Sequence, residues 1–132
     1  MSTDKDNAES QARAQLRSIV EMIGELICAE NTDDQKKIEE VDEQIYQDPL
    51  SIEVSSTWQS IGETLLPGQF RILLCTGGPA VQIRGDLDEH NEPYKPFIEY
   101  QDWFTPWTRL HDVSDEDQEA LERYCRHFSF GC

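Results

Sequence analysis

From residue 8 to about residue 29, apolar side chains recur at Ala12, Leu16, Ile19, Ile23 and Leu26 in alternating steps of four and three, and Val20 and Ile27 widen the stripe. A helix brings such positions to one face, and the seam has the spacing of a short coiled coil. Beyond Asn31, Thr32 or Asp33 can cap a second helix whose stripe is Ile38, Val41 and Ile45. Pro49 bounds it, because the residue ahead of a proline avoids helical angles. Two amphipathic helices across a short polar link predict an αα-hairpin over residues 8–48, with residues 1–7 expected as a disordered tail.

The period then falls to two. Leu50, Ile52 and Val54 alternate with Ser51, Glu53 and Ser55, the pattern of a half-buried strand. Phe70 to Cys75 is an apolar run too brief for an ordinary helix, and Ala80, Val81 and Ile83 follow across Thr76-Gly77-Gly78-Pro79. Adjacent glycines supply the positive φ of a tight turn, so these two strands should pair antiparallel. The turn from Asp86 to Pro93 leads to a fourth strand at about Tyr94–Tyr100. Ser114 caps a last helix, with Asp115, Glu116 and Asp117 in its first turn and Leu121, Tyr124, Cys125 and Phe128 on its apolar face. The expected fold class is α+β: an N-terminal helical hairpin, then a four-stranded antiparallel meander over residues 49–132 packed by a C-terminal helix.

Charge changes this picture most. The 132 residues carry 27 acids against 11 bases, a net charge of −16, and only 37% of the chain is hydrophobic. Low hydrophobicity with high charge is the signature of disorder. The aromatic residues argue otherwise, since all three Trp, all five Phe and three of the four Tyr lie beyond residue 48. Each part, 1–48 and 49–132, carries a net −8, so the shorter first part is the more densely charged. The reading is a folded domain with an acidic helical appendage. Its sign opposes direct nucleic-acid binding, which works by Lys and Arg displacing phosphate counterions, and adsorption to an anionic membrane. What remains attractive is a basic protein partner. No segment approaches the roughly 18–20 apolar residues of a membrane span, and the N-terminus lacks the basic-then-apolar order of a signal peptide, which predicts a soluble, intracellular chain.

Candidate chemistry is sparse. Cys75 beside Gly77 and Gly78 has the look of a thiolate with an oxyanion site, but His90, His111 and His127 stand in no supporting motif and a hairpin turn accounts for both glycines. Cys28, Cys75, Cys125 and Cys132 form no C-x-x-C pair, which predicts incidental thiols in a reducing cytosol. Asp86, Asp88, Glu89, His90 and Glu92 crowd one turn, yet an EF-hand would want glycine at Asn91 and glutamate at Phe97. His90-x-Glu92 lacks the Pro-Cys-x-x-Cys half of a zinc deaminase. No catalytic residue, metal or cofactor is therefore assigned. Of the tryptophans, Trp103 and Trp107 around Pro106, next to Phe104, are expected in the core and Trp58, in a polar loop, on the surface as a partner contact.

Arg71-Ile-Leu-Leu-Cys-Thr-Gly-Gly-Pro-Ala80, Gly85-Asp-Leu-Asp-Glu89, Glu99-Tyr-Gln-Asp-Trp103, Thr105-Pro-Trp107 and the closing Phe128-Ser-Phe-Gly131 carry a resemblance. Over about residues 46–131 the chain resembles a family of small uncharacterised proteins of bacteriophages and prophages. The resemblance implies no catalytic chemistry. Small acidic phage proteins are often inhibitors of host defence, anti-CRISPR and anti-restriction proteins among them, so it implies an anti-defence inhibitor in the host bacterial cytoplasm. Such an inhibitor would act by stoichiometric binding to a basic nucleic-acid-binding protein or defence complex. The expected phosphate surrogates are Glu21, Glu25, Glu39, Glu40, Asp42 and Glu43, acting as a DNA mimic. The alternative is a phage accessory protein of structural or assembly type, forming a homodimer through Leu16, Ile19, Ile23 and Ile27.

Overall fold

A computed structural model of the chain describes residues 4–103 and 105–130. The expectations placed on Met1–Thr3, Phe104, Gly131 and Cys132 lie outside the described residues. Helix α1 spans Asp4–Asn31 and α2 spans Gln35–Gln47. Strands β1 (Ser51–Ser56), β2 (Pro67–Cys75), β3 (Ala80–Leu87), β4 (Pro93–Gln101) and β5 (Thr108–Arg109) form one antiparallel meander in the order β1-β2-β3-β4-β5, and α3 (Asp115–Cys125) follows. The architecture is α+β, with four long strands and one short one.

The α1 stripe is real and broader than the heptad-like seam. Ala8, Ala12, Leu16, Ile19, Met22, Ile23, Leu26 and Ala29 are all buried, whereas Ile27 is 40% exposed. Ile27 follows Leu26 by one residue, about 100° further around the helix, which turns it away from the core. The helix also begins at Asp4, so residues 4–7, expected in a disordered tail, belong to α1. At its other end Asp33 takes the left-handed conformation (φ 54°). The Asp34 amide donates to the Ala29 carbonyl at 3.0 Å and the Asp33 amide to the Glu30 carbonyl at 3.2 Å. These two bonds are a Schellman closure, which satisfies carbonyls the helix leaves open. Asp33 is thus spent on ending α1, and the cap of α2 is Asp34, whose carboxylate accepts the Lys37 amide, rather than Thr32 or Asp33. Helix α2 stops before Pro49 as expected, but Asp48 keeps helical angles (φ −67°, ψ −47°). The break is made by the missing N–H of Pro49 and not by Asp48 leaving the helical region.

Helix α1 packs against α2, α3, β3 and β4, and its side chains share one core with the sheet, from Ala8 and Ile19 through Ile72, Val81, Ile83 and Ile98 to Tyr124 and Phe130. The 8–48 hairpin is accordingly built into the fold; a boundary at residue 48 would cut through this core. Polar ties reinforce the packing. The Tyr100 hydroxyl donates to Glu9 Oε1 at 3.2 Å, an Arg13 nitrogen to the His111 carbonyl at 3.3 Å, and Arg123 pairs with Glu30. Gly85 is opposite Phe70, and a Cβ there would come within 2.6 Å of the Phe70 ring, which itself packs on Phe130 with centroids 4.7 Å apart. On α3 the Ser114 hydroxyl accepts the Asp117 amide, as the cap requires, and Leu121, Tyr124, Cys125 and Phe128 are buried.

Leu16, Ile19 and Ile23, expected as a homodimer seam, lie at 5%, 0% and 2% exposure inside the single chain. The α1 stripe is covered by the chain's own α2, α3 and sheet, and Ile27 alone of the four faces outward. Replacing Ile23 by Asp should therefore move the urea unfolding midpoint sharply down, because an unpaired buried charge costs about 3–5 kcal/mol in a domain with about 5–15 to lose. A variant that stays folded and merely halves in mass by light scattering would mean that the seam serves a second copy.

Candidate interaction surfaces

The six expected phosphate surrogates do not behave alike. Glu21, Glu39, Glu40 and Glu43 are exposed, and among the described residues none of the four meets a cation within ion-pairing distance. Glu43 only accepts the Gln47 amide at 2.6 Å. Glu25 is exposed too but shares its charge with Lys37 at 3.9 Å, a tie between α1 and α2. Asp42 is turned inward, with Oδ1 3.2 Å from His127 Nε2. The other ring nitrogen lies 3.1 Å from the Arg123 carbonyl; that carbonyl and the Asp42 carboxylate can both only accept, so the ring bonds to both when each of its nitrogens carries a proton. Asp42 is thus a strut between α2 and α3, beside a second one in which the Tyr124 hydroxyl donates to Asp48 Oδ2 at 2.7 Å. Burial raises the Tyr124 pKa, and the Asp48 hydrogen bond adds to it, so the hydroxyl keeps its proton as donor. These struts and the buried Val41 and Ile45 hold α2 with its remaining acids outward.

A second surface was not expected. The alternation in β1 pointed to a half-buried strand, yet all six residues are exposed, including Ile52 and Val54 at 38%. Ile52 is paired with Ile72 and Val54 with Phe70, so both lie on the sheet face that carries the core. They remain uncovered because the helices pack chiefly on β3 and β4, away from the β1 edge. Beyond β1, residues 57–66 prolong the β1–β2 hairpin as an arm, its base tied by the Thr57 amide donating to the Leu66 carbonyl and its tip turned at Gly62 (φ 92°). Trp58 and Ile61 on this arm are fully exposed, and Leu65 and Leu66 are more than half exposed. Burying each such side chain is worth about 1.5–3 kcal/mol, so an arm that leaves four in water is unusual unless something else covers them. Trp58 stands where the sequence put it. Trp103, expected in the core, is 62% exposed instead, and Trp107 is part-buried.

The face of the sheet away from the helices holds a row of three charged residues, Glu53, Arg71 and Arg84, ending in Phe97, in register across β1 to β4. Two arginines directly opposite each other repel. Each is answered from within the chain. Arg71 Nε donates to Glu53 Oε1 at 2.6 Å, and Arg84 lies 3.5 Å from Glu99 Oε1, which also accepts from Gln82 Nε2 at 2.6 Å. A cavity of about 360 Å³ opens here between Arg71, Arg84, Gln69, Gln82 and Trp107, but both guanidinium groups on its wall are already engaged.

The candidate chemistry resolves into structure. Burial pushes the Cys75 thiol up, away from thiolate, and its Sγ meets the Pro79 carbonyl at 3.9 Å. The Thr76–Pro79 segment is the β2–β3 turn, with Gly77 at φ 115°. In the acidic turn, the Asp88 carboxylate accepts the amides of Glu92 at 2.9 Å and His90 at 2.8 Å, and Asn91 is left-handed. Those hydrogen bonds, Glu92's first, hold the Asp88 carboxyl below the ordinary range. Among the described residues no group of three His, Cys, Asp or Glu is placed to hold a metal, and no helix is long and apolar enough to cross a membrane.

Glu53 is likewise held low, by its hydrogen bond from Arg71 and then by that group's charge. A carboxyl with a lowered folded pKa supports the fold above its unfolded value, about 4.3, and the support is lost as pH falls through the lowered value. In an NMR titration from pH 6 to 2, the Glu53 and Asp88 carboxyl carbons should titrate below the bulk of the exposed carboxylates. The β1 amides and those of His90 and Glu92 should shift with them. Midpoints at or above the ordinary carboxylate range would contradict both pairings.

No family model, curated protein or solved structure matches the chain.

Proposed function

We propose that the chain is an anti-defence inhibitor of anti-CRISPR type that acts by stoichiometric binding, its acidic helices occupying the basic nucleic-acid groove of a host protein. The observation that carries this reading is the outward array of Glu21, Glu39, Glu40 and Glu43, four exposed carboxylates that form no ion pair among the described residues, on two helices fixed to one core. Rigid presentation matters, because a carboxylate already held in place loses little entropy on meeting a Lys or Arg. Net charge matters too. In a chain at −16, self-repulsion works against compactness, and a basic partner relieves it. The resemblance to small phage and prophage proteins supports a partner in host defence. Glu25 contributes less than its neighbours, being shared with Lys37, and Asp42 serves α2 rather than the partner.

The test is competition at controlled salt. Affinity capture from a bacterial lysate should retain a basic nucleic-acid-binding protein, and duplex DNA should displace it. Affinity should fall steeply between 0.1 and 1 M salt, as the screening length shrinks from about 10 to 3 Å. Reversing four charges together (Glu21→Lys, Glu39→Lys, Glu40→Lys, Glu43→Lys) should weaken capture by about 100-fold or more, largely through the on-rate. Capture that is indifferent to salt, or that survives the reversal, contradicts the proposal.

A further inference from the structure

The edge of the sheet at β1 is open in a way that stable proteins usually avoid. An edge strand offers unpaired N–H and C=O groups, and natural sequences blunt it with lysine, proline, bulges or a covering element. Here β1 pairs only with β2, its six residues are exposed and none is basic, and the one register shift lies at its far end, between Ser55 and Ser56. On one face the edge presents Ile52 and Val54, with Leu50 just before it 59% exposed, and on the other Glu53. The apolar arm continues the same hairpin. Charge then selects the occupant: from Ile38 to Phe70, through most of α2, β1 and the arm, the chain has seven carboxylates and no base.

We infer that the β1 edge docks an extended basic segment of the partner, which joins the sheet as a further strand. Its apolar side chains would lie beside Ile52 and Val54, its Lys or Arg side chains beside Glu53, whose Oε1 is taken by Arg71 and whose Oε2 would meet the partner, and Trp58 would close over the end. Main-chain hydrogen bonds supply affinity in this mode, and alternate side chains supply specificity. A second copy of the chain fits the edge poorly. Antiparallel β1–β1 pairing would bring two Glu53 residues and two base-free stretches together, with a net −16 on each side. The inference rests on the reading of the partner as basic, and it adds where and in what conformation that partner is gripped.

Three eight-residue probe peptides test it against the full chain by NMR titration: alternating valine and lysine, alternating valine and glutamate, and a basic peptide of the first composition with its lysines in one block. The alternating basic peptide should shift the amides of Ser51–Ser56 and the Trp58 indole, and bind at least about tenfold tighter than either of the others. Ile52→Lys and Trp58→Ala, both at exposed positions, should each weaken it about tenfold without loss of folding. Reversing Glu39, Glu40 and Glu43 on α2 should weaken it by less. If the glutamate peptide binds equally well, if shifts are confined to α1 and α2, or if neither edge variant matters, the strand site is wrong while the groove-occupying role of the acidic helices can still stand. If α2 reversal leaves lysate capture intact while the edge discriminates as stated, the groove reading fails and the strand site holds. Sedimentation showing a dimer that Ile52→Lys dissolves would assign the edge to a second copy and overturn the inference.

Discussion

The burial of one face of α1 is the constraint on which the rest depends. Eight side chains from Ala8 to Ala29 go into the core, and α2, α3, β3 and β4 all pack on that helix. A 28-residue helix is about 42 Å long, more than the strands can cover alone, so its length creates the need for α2 and α3 as further walls. The same burial limits what remains for function. Once the stripe is consumed within the chain, α1 can offer a partner only its polar side, and that side is acidic. The inward tie of Asp42 to His127 and of Asp48 to Tyr124 makes the same exchange on α2, where two carboxylates become struts and the others stay outside.

The distribution of the apolar surface complements that of the charge. The helices cover β3 and β4 and stop short of β1, so the sheet has a protected half and an open half. Covering β1 would have cost the fold nothing electrostatically, since its apolar face is uncharged. The acids of α2 and the bare apolar strand and arm succeed one another along a single stretch without a base, Ile38 to Phe70. An acidic field to attract a partner and an apolar edge to retain it are the two components of a fast and durable association.

Much of this was legible in the sequence where local physics decides. The steps of three and four in α1, the Ser114 cap, and the Gly77-Gly78 turn each depend on residues within one turn or hairpin. The misses share a different cause. Alternation in β1 tells which side chains share a face, and it was right that Ile52 and Val54 do; whether a helix lies over that face is set by packing far away in the chain. Ile27 widens the stripe in the sequence, but it lies one residue of helical rotation beyond Leu26, which carries it out of the core. Asp33 has the chemistry of a cap, but the Schellman closure claims it first and hands the role to Asp34. β5 pairs only two residues, Thr108 and Arg109, too few to show a period, and Arg109 stacking over the Phe97 ring at 4.5 Å is invisible to spacing. For the surfaces, four of the six acids expected on the outer helix faces are exposed and outside any ion pair among the described residues. The inward turn of Asp42 depends on His127, 85 residues away, and the arm was found only through Trp58.

The acidic hairpin and the sheet form one cooperative unit organised by α1, with β1 and its arm outside the protected half. Native-state amide hydrogen exchange tests it most directly. Amides of α1 from Leu16 to Leu26 should exchange with the same free energy and denaturant dependence as those of β3 and β4, whereas β1 and residues 57–66 should exchange far faster. If α1 and α2 opened together at a free energy well below that of β3 and β4, the hairpin would be a separate module and not part of one cooperative unit with the sheet.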